Sequence, residues 1–275
     1  MIIDAHQHFW KLDRGDYSWL TPELTLLYQD FLPEHLLPIL NNAGVSGSIL
    51  VQAAPTVEET NYMLGLAQEH QEILGVVGWV DMDSSKAVEE IDKLSKHKEL
   101  VGLRPMIQDI PNIDWMLKET LEPAFNKMIE VGLTFDALTA PEHLPNLLKL
   151  LEKFPELTTV IDHASKPNIK NKHIKQWQYD MVNLAKRKNT YCKLSGLVTE
   201  ASEDWTIEDL KPYVEVLLET FGPERLIWGS DWPVCLLAST YQKWLEACHK
   251  LLAVSDEDHS LIFGKNAMRA YGLPV

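Results

Sequence analysis

The chain has 275 residues, of which 45% are hydrophobic and 24% are charged, and its formal net charge is -15. These proportions are ordinary for a globular protein, and the length fits one large domain, since α/β barrels reach this size as a single unit. The acidic excess argues against nucleic-acid binding, because phosphate contacts need clustered lysine and arginine side chains. We therefore expect one domain over residues 1–275 with no nucleic-acid partner.

The first residues, Met1–Asp4, lack the basic and apolar regions of a signal peptide, and no apolar run in the sequence is long enough to cross a bilayer. The three cysteines, Cys192, Cys235 and Cys248, form no C-x-x-C pair. Neither a disulfide framework nor a thiolate zinc site is indicated. We expect a cytoplasmic protein with reduced thiols and no membrane partner.

Short runs of β-branched and apolar residues recur along the chain, separated by longer amphipathic segments. Strands that alternate with helices are typical of an α/β fold with a parallel sheet, and eight such units favour a closed (β/α)8 TIM-like barrel over an open doubly wound sheet. The predicted strands are Ile2–His6, Ser48–Gln52, Gly75–Val80, Leu100–Arg104, Leu133–Ala137, Thr158–His163, Thr190–Leu194 and Arg225–Gly229.

The connections contain helix signals and one unusually long loop. Thr56–Glu59 reads as a capping box, and an apolar stripe follows it. The first connection, from Phe9 to Pro33, carries several aromatic residues, including Trp10 and Trp19. Such a loop at the carboxyl end of a barrel strand predicts a lid or pocket wall, although packing of its aromatic side chains onto the barrel is the alternative.

Active sites of these barrels lie at the carboxyl ends of the strands. Strand one ends in His6-x-His8, whose imidazoles share a face and form a natural pair of metal ligands, or else hydrogen-bond at the strand end. Arg104 ends strand four, Asp162-His163 ends strand six, and Gly229-Ser230-Asp231-Trp232-Pro233 ends strand eight. Their convergence on one end of the barrel predicts a functional site.

These motifs resemble the amidohydrolase superfamily and, more narrowly, its branch of sugar-lactone and related lactone hydrolases. The Lys166-Pro167 pair and the closing segments Ile262–Ala267 and Tyr271–Leu273 are also similar to that branch, so the resemblance spans residues 2 to 273. It implies a distorted (β/α)8 barrel whose strand-eight aspartate activates water for attack on a carbonyl.

The resemblance also implies a role for each motif residue. His6, His8 and Asp231 match the metal ligands of metal-dependent relatives, and Asp231 also matches their general base. His163 matches the strand-six histidine that polarises the carbonyl or completes the metal site. Arg104 matches an arginine that binds substrate oxygens, although closing an internal ion pair is its alternative role.

Binuclear relatives add a bridging residue from strand four and a histidine from strand five, and neither has a counterpart in Leu100–Arg104 or Leu133–Ala137. We therefore expect at most one divalent ion, with zinc favoured and manganese the next choice. Part of this branch works without a metal. In that alternative the histidines and the arginine donate hydrogen bonds directly to the oxyanion.

The remaining candidates concern the pocket walls. Trp10, Trp79 and Trp232 are predicted to contact substrate, since aromatic faces suit the apolar side of a sugar ring. Asp162 is expected to be structural, because strand alternation turns it away from the histidine that follows it. Lys166 is expected to be a surface residue. Which face of strand five carries Asp136 is left open.

We predict a hydrolase that opens the ester of a sugar lactone, such as the 1,5- or 1,4-lactone of a 6-deoxy-sugar acid. One alternative is hydrolysis or decarboxylation of an aromatic-derived carboxylate or pyrone. That substrate would need several converging arginines, and only Arg104 and Arg14 are candidates for this role. The other is a non-catalytic barrel that binds a sugar acid. The expected partner is a small-molecule sugar lactone, and the oligomeric state, a homo-oligomer included, is left open.

Overall fold

The computed structural model describes residues 1–274 and contains eight parallel strands, each hydrogen-bonded to the next in chain order. Every predicted strand is present with its bounds shifted by two residues at most, and the predicted (β/α)8 barrel is confirmed. The strands are β1 (Ile3–Gln7), β2 (Gly47–Val51), β3 (Ile73–Gly78), β4 (Leu100–Leu103), β5 (Thr134–Ala137), β6 (Thr159–Ile161), β7 (Thr190–Leu194) and β8 (Leu226–Trp228).

Helices follow the strands, and the predicted capping box is present, since the Thr56 side chain accepts a hydrogen bond from the Glu59 amide at 3.1 Å. The chain ends with two short helices separated by one π-helical turn, Leu261–Lys265. None of the helices in residues 1–274 is both long and apolar enough to cross a membrane. They are α1 (Pro33–Ala43), α2 (Val57–Glu69), α3 (Ala87–Leu94), α4 (Glu122–Val131), α5 (Leu144–Lys153), α6 (Lys175–Leu184), α7 (Ile207–Phe221), α8 (Tyr241–Leu251), α9 (Asp256–Ser260) and α10 (Asn266–Ala270).

Apolar side chains form two cores, one on each face of the sheet. Ile161 belongs to a large cluster that includes side chains of the outer helices, whereas its strand neighbour Val160 belongs to a smaller cluster of strand residues. Successive strand residues point to opposite faces, so the smaller cluster lies inside the barrel. Tyr271 and Leu273 join that inner cluster. The carboxyl-terminal segment therefore packs against the inside of the barrel.

The barrel is nearly closed, and its seam lies between β1 and β8. An isolated bridge between Gln7 and Trp232 joins the two strands there. The buried Asp4 carboxylate crosses the seam and accepts a hydrogen bond from the Ser230 amide at 2.8 Å. Burial raises the pKa of Asp4 to about 6, although this hydrogen bond opposes the shift.

The long first connection is tied to the barrel through Glu59, in the first turn of α2. The Tyr17 hydroxyl donates to Glu59 Oε2 at 2.7 Å, and the Ala53 amide donates to Glu59 Oε1 at 3.2 Å. Arg14 Nη2 lies 3.4 Å from the same carboxylate. Burial raises the pKa of Glu59 to about 7 and outweighs these stabilising contacts.

This buried carboxyl makes stability depend on pH. Between its ordinary pKa of 4.5 and its folded pKa of about 7, Glu59 binds more protons in the native state than in the unfolded state. Stability therefore falls as pH rises through that window, by up to about 3 kcal/mol. We expect Glu59→Gln to remove that part of the decline, measured as urea midpoints between pH 5 and 8. An unchanged pH slope in the variant would show that Glu59 does not titrate there.

Candidate active site

Side chains at the carboxyl ends of the strands surround a cavity of about 190 Å³. Four residues predicted from the sequence line it, namely His8, Arg104, His163 and Asp231. His6 is fully buried beside them, and its Nε2 lies 3.2 Å from His8 Nε2. The structure therefore brings all five polar candidates from four strand ends into one cluster. The other lining residues are Trp19, Ala53, Met106, Gln108, Asp109, Leu138, Lys166 and Val234.

Asp231 lies at the centre of three imidazoles. Its Oδ1 is 3.4 Å from His8 Nε2, 3.8 Å from His6 Nε2 and 4.0 Å from His163 Nε2. Burial alone would raise the pKa of Asp231, but the surrounding histidines lower it below the usual carboxyl range. Asp231 is therefore an ionised carboxylate in a cavity largely screened from solvent.

Burial also determines the charge of the histidines. It lowers the pKa of His163 to about 4, although Asp231 and Asp162 oppose the shift. The pKa of His6 is lowered further, first by burial and then by Lys193. Both imidazoles are neutral at physiological pH, which is the state in which imidazole binds a metal or donates a single hydrogen bond.

The backbone is strained where the chain presents these groups. Asp231 has a φ of 59°, and His163 through Lys166 form four successive residues with φ between 49° and 57°. Left-handed backbone costs of order 1–3 kcal/mol for each residue other than glycine and clusters at functional sites. Gly229 permits this packing, since a Cβ at that position would lie 2.7 Å from the Cβ of His6.

Lys193 was not predicted from the sequence, yet it is fully buried beneath the cavity. Its Nζ lies 2.7 Å from Asp136 Oδ2, 2.8 Å from Asp162 Oδ1 and 3.2 Å from His6 Nδ1. Burial alone would lower the pKa of Lys193, but the two carboxylates raise it above its usual value. The Tyr271 hydroxyl donates to Asp136, which therefore faces the barrel interior.

The Lys193 contact favours one tautomer of His6. An ammonium group carries only donors, so the 3.2 Å contact from Lys193 favours Nδ1 as the acceptor and Nε2 as the nitrogen with the ring proton, although the Arg104 guanidinium lies 3.4 Å from Nε2. His8 has the opposite tautomer, because its Nδ1 is 2.7 Å from the carbonyl oxygen of Val51 and donates to it. His6 Nε2–H can then donate to the lone pair of His8 Nε2, which agrees with their 3.2 Å separation.

Arg104 closes the internal ion pair that was its alternative role, and it also lines the cavity. Its Nη1 donates to Asp162 Oδ2 at 3.2 Å and lies 3.4 Å from His6 Nε2. Its Nη2 donates to the carbonyl oxygen of Gln52, whose side chain donates back to the Arg104 carbonyl at 2.7 Å. The guanidinium is thus held in a fixed orientation while part of the side chain lines the cavity.

Asp162 is not turned away from the site, in contrast to the alternation argument. The strand β6 ends at Ile161, and a 3₁₀ turn begins at Asp162, so strand alternation no longer applies at His163. Lys193 and Arg104 hold the pKa of Asp162 well below its usual range, although burial opposes this shift. Asp162 is the carboxylate that joins both cations to His6.

The predicted tryptophan walls are only partly matched by the structure. Trp10 is fully buried and donates its indole N–H to the carbonyl oxygen of Gln29 within the long loop. Trp232 packs edge-on against Phe31 and is 2% exposed, so neither indole lines the cavity. Trp19 lines it instead. Trp79 lines an adjoining cavity.

Lys166 was predicted to be a surface residue, but it is half-buried and lines the cavity. It is the last residue of the strained turn that begins at His163, and its own φ is 51°. No sequence pattern predicts the unusual backbone of this turn. For that reason the position of Lys166 was predicted wrongly.

The cluster fits one divalent metal ion. Tetrahedral zinc with bonds of about 2.0–2.1 Å separates its ligand atoms by about 3.4 Å. The distances among His6 Nε2, His8 Nε2 and Asp231 Oδ1 are 3.2, 3.4 and 3.8 Å. One ligand atom each of His6, His163 and Asp231 also lies within 4.8 Å of the others. His8 already has the required tautomer, whereas His6 bound through Nε2 would carry its proton on Nδ1, which faces the Lys193 ammonium.

Comparisons with known proteins identify similar chains. A family model described as amidohydrolase matches residues 3–273. A protein of Burkholderia ambifaria named L-fucono-1,5-lactonase is 41% identical over 98% of this chain and 94% of its own length. A second L-fucono-1,5-lactonase, from Burkholderia multivorans, is 31% identical over 99% of this chain and 96% of its own length.

A solved structure is also similar. The crystal structure of an amidohydrolase from Burkholderia multivorans with bound zinc is 31% identical, covers 100% of both chains and superposes with a TM-score of 0.94. The motifs at the ends of strands one, six and eight predicted this relationship, and the family match over residues 3–273 confirms it. The chain belongs to the amidohydrolase family.

Proposed function

We propose that this protein is a hydrolase that opens the ester of a sugar lactone, of the aldonolactone type derived from a 6-deoxy sugar. The observation that carries the proposal is the ionised Asp231 carboxylate beside three histidines and Arg104 in a small cavity. The relatives named L-fucono-1,5-lactonase support the substrate class. The cavity has a volume of about 190 Å³, which is less than the roughly 300 Å³ at which pockets for drug-sized ligands begin. This volume suits a ligand of one sugar ring.

The protein's own residues supply each step. Asp231 accepts a proton from water, and the water oxygen bonds to the lactone carbonyl carbon. Arg104 and Lys166 place positive charge beside the cavity, where negative charge develops on the carbonyl oxygen. When the carbon–oxygen bond of the ring breaks, the leaving ring oxygen takes the proton from Asp231. The product is the open-chain aldonic acid, which releases a proton to the solvent as the aldonate, and the Asp231 carboxylate returns to its ionised state.

We also propose that one divalent ion can bind at this site, with zinc the favoured ion. Its ligands would be Asp231 together with His6, His8 or His163. When bound, such an ion would supply Lewis-acid polarisation of the carbonyl. Metal binding through Nε2 would require the His6 proton on Nδ1. Lys193 opposes this tautomer, because its ammonium group lies 3.2 Å from Nδ1. The histidines, if they act without an ion, surround Asp231 as neutral imidazoles that can contact the substrate.

A dicarboxylate such as a pyrone diacid is the less suitable substrate. Arg104 is the arginine among the residues that line the cavity. Arg14, the other arginine considered, is paired with Asp16 at 2.6 Å and with Glu59 at 3.4 Å within the long loop. A second carboxylate therefore lacks a bidentate partner, and the neutral ester is favoured.

Turnover of a panel of D- and L-aldonolactones tests the proposal, with acid release followed by a pH indicator. We expect the 1,5-lactones of 6-deoxy sugars to be hydrolysed at least tenfold faster than aromatic esters. The same sample is assayed after chelation, with its metal content measured. Activity lost on chelation and restored by zinc would establish a metal-assisted reaction, whereas activity that survives would assign the chemistry to the side chains. A panel with no turnover by folded, zinc-supplied protein would refute the proposal.

A further inference from the structure

A second cavity of about 320 Å³ adjoins the reaction cavity. Trp19, Met106 and Asp109 line both cavities, so the two are separated by no more than one side chain. Its other walls come from the long first connection, the segment after β2, the ends of β3 and β4 and the loop after β4. They include Ser18, Pro55, Trp79, Asp81 and Trp115.

Three indoles form the aromatic part of this second cavity and are held in place by their surroundings. The Trp19 indole N–H donates to the Ala53 carbonyl oxygen at 2.7 Å. The backbone of Trp79 both donates to and accepts from the Thr60 hydroxyl at 2.8 Å. Trp115 is 8% exposed. The cavity is therefore largely preformed, which lowers the entropic cost of binding.

Polar groups lie among the indoles. The carboxylates of Asp81 and Asp109 and the hydroxyl of Ser18 line the cavity. An alkyl chain would bury these groups without partners, at a cost in free energy. A sugar offers hydroxyl groups to the carboxylates and an apolar face to the indoles.

We propose that this tryptophan cavity binds a second sugar unit that is joined to the lactone ring by a glycosidic bond. The inference rests on the proposed lactone hydrolysis and extends its substrate class to lactones of disaccharide acids. A ring held beside Asp231 would lie in the cavity that shares Trp19, Met106 and Asp109 with the tryptophan cavity, within reach of a second unit joined to it. The reaction that supplies such a substrate is oxidation of the reducing end of a disaccharide to its lactone.

The experiment compares two substrates that have the same lactone ring. One is the aldonolactone that the panel identifies as the fastest, and the other carries a glucosyl unit on O3 or O4 of that ring. We expect Trp79→Ala to raise KM about tenfold for the glucosylated lactone and to change kcat/KM for the simple lactone less than twofold. Trp79→Phe should recover most of the loss, since it restores an aromatic face. Tyr179→Ala, at an aromatic residue 65% exposed on α6, is the matched control.

A binding measurement keeps this inference separate from the proposed reaction. Cellobionate, the open acid of a glucosylated glucose, should quench tryptophan fluorescence more strongly in the wild-type protein than in Trp79→Ala, and gluconate should not. Quenching by cellobionate without lactone turnover would support the cavity while the lactonase proposal fails. Turnover of the simple lactone with no effect of Trp79→Ala on the glucosylated one, or no turnover of the latter, would overturn the inference.

Discussion

Asp231→Asn is expected to lower kcat for lactone hydrolysis by about 10³-fold, within the range that general-base catalysis contributes. The amide has the shape of the carboxylate but cannot accept the proton of the attacking water. Asparagine also tolerates the left-handed backbone, so the φ of 59° at this position should be kept. The measurement is initial rate by pH indicator, at saturating lactone, with circular dichroism to verify folding.

Asp13→Asn is the matched control for this variant, because the Asp13 side chain is 73% exposed and lies in the long loop away from the cavity. Its rate should stay within twofold of the wild-type rate. If Asp231→Asn were folded and retained a tenth or more of the activity, Asp231 would not be the base. The assignment of the cavity as a hydrolytic site would then fail with it.

Lys193→Met is expected to destabilise the protein by about 3–5 kcal/mol, because it leaves the buried Asp136 and Asp162 carboxylates without their shared cation. For a chain of this size the melting temperature should fall by roughly 10 °C. Differential scanning fluorimetry at pH 7 measures it. Lys98→Met, at a lysine whose side chain is 91% exposed, should change the melting temperature by about 1 °C or less.

A double variant distinguishes the charge effect from lost packing. Adding Asp136→Asn to Lys193→Met removes one of the two carboxylates and should recover part of the lost stability. If Asp136→Asn lowered the stability of Lys193→Met as much as it lowers that of the wild-type protein, the two groups would not be coupled. A melting temperature unchanged by Lys193→Met alone would contradict the assignment of a buried ion pair.

The sequence was informative wherever a regular element determined the outcome. Each strand is an apolar run that fits a buried parallel sheet, and the rule that such barrels carry their sites at the strand ends placed His6, Arg104 and Asp231 together. Lys193 was missed although its signal was present, since a lysine within the apolar run Thr190–Leu194 can be buried only if carboxylates surround it. The partners come from two other strands, and no local pattern identifies them.

Irregular backbone accounts for the other differences. The sequence pattern does not show that β6 ends at Ile161. Strand alternation was therefore applied beyond the end of the strand, and the predicted orientation of Asp162 was wrong. Which aromatic residue reaches a cavity depends on the path of a long loop. Trp10 pairs with Phe31 through the backbone and is buried, whereas Trp19 is left at the cavity wall.

The seam between β1 and β8 has a consequence for how the enzyme loses activity. His6 and His8 lie on the β1 side of the seam, and Asp231 lies on the β8 side. The Asp231 amide joins the two sides by donating a hydrogen bond to the His6 carbonyl oxygen at 2.8 Å. A ligand that contacts both sides of the seam holds them together, and its binding free energy adds to the free energy needed to open the barrel there. Partial opening at this joint would separate base from histidines while the rest of the sheet stays paired. The active site thus lies across a joint that is held by an isolated bridge, and heat should inactivate the protein before it unfolds it.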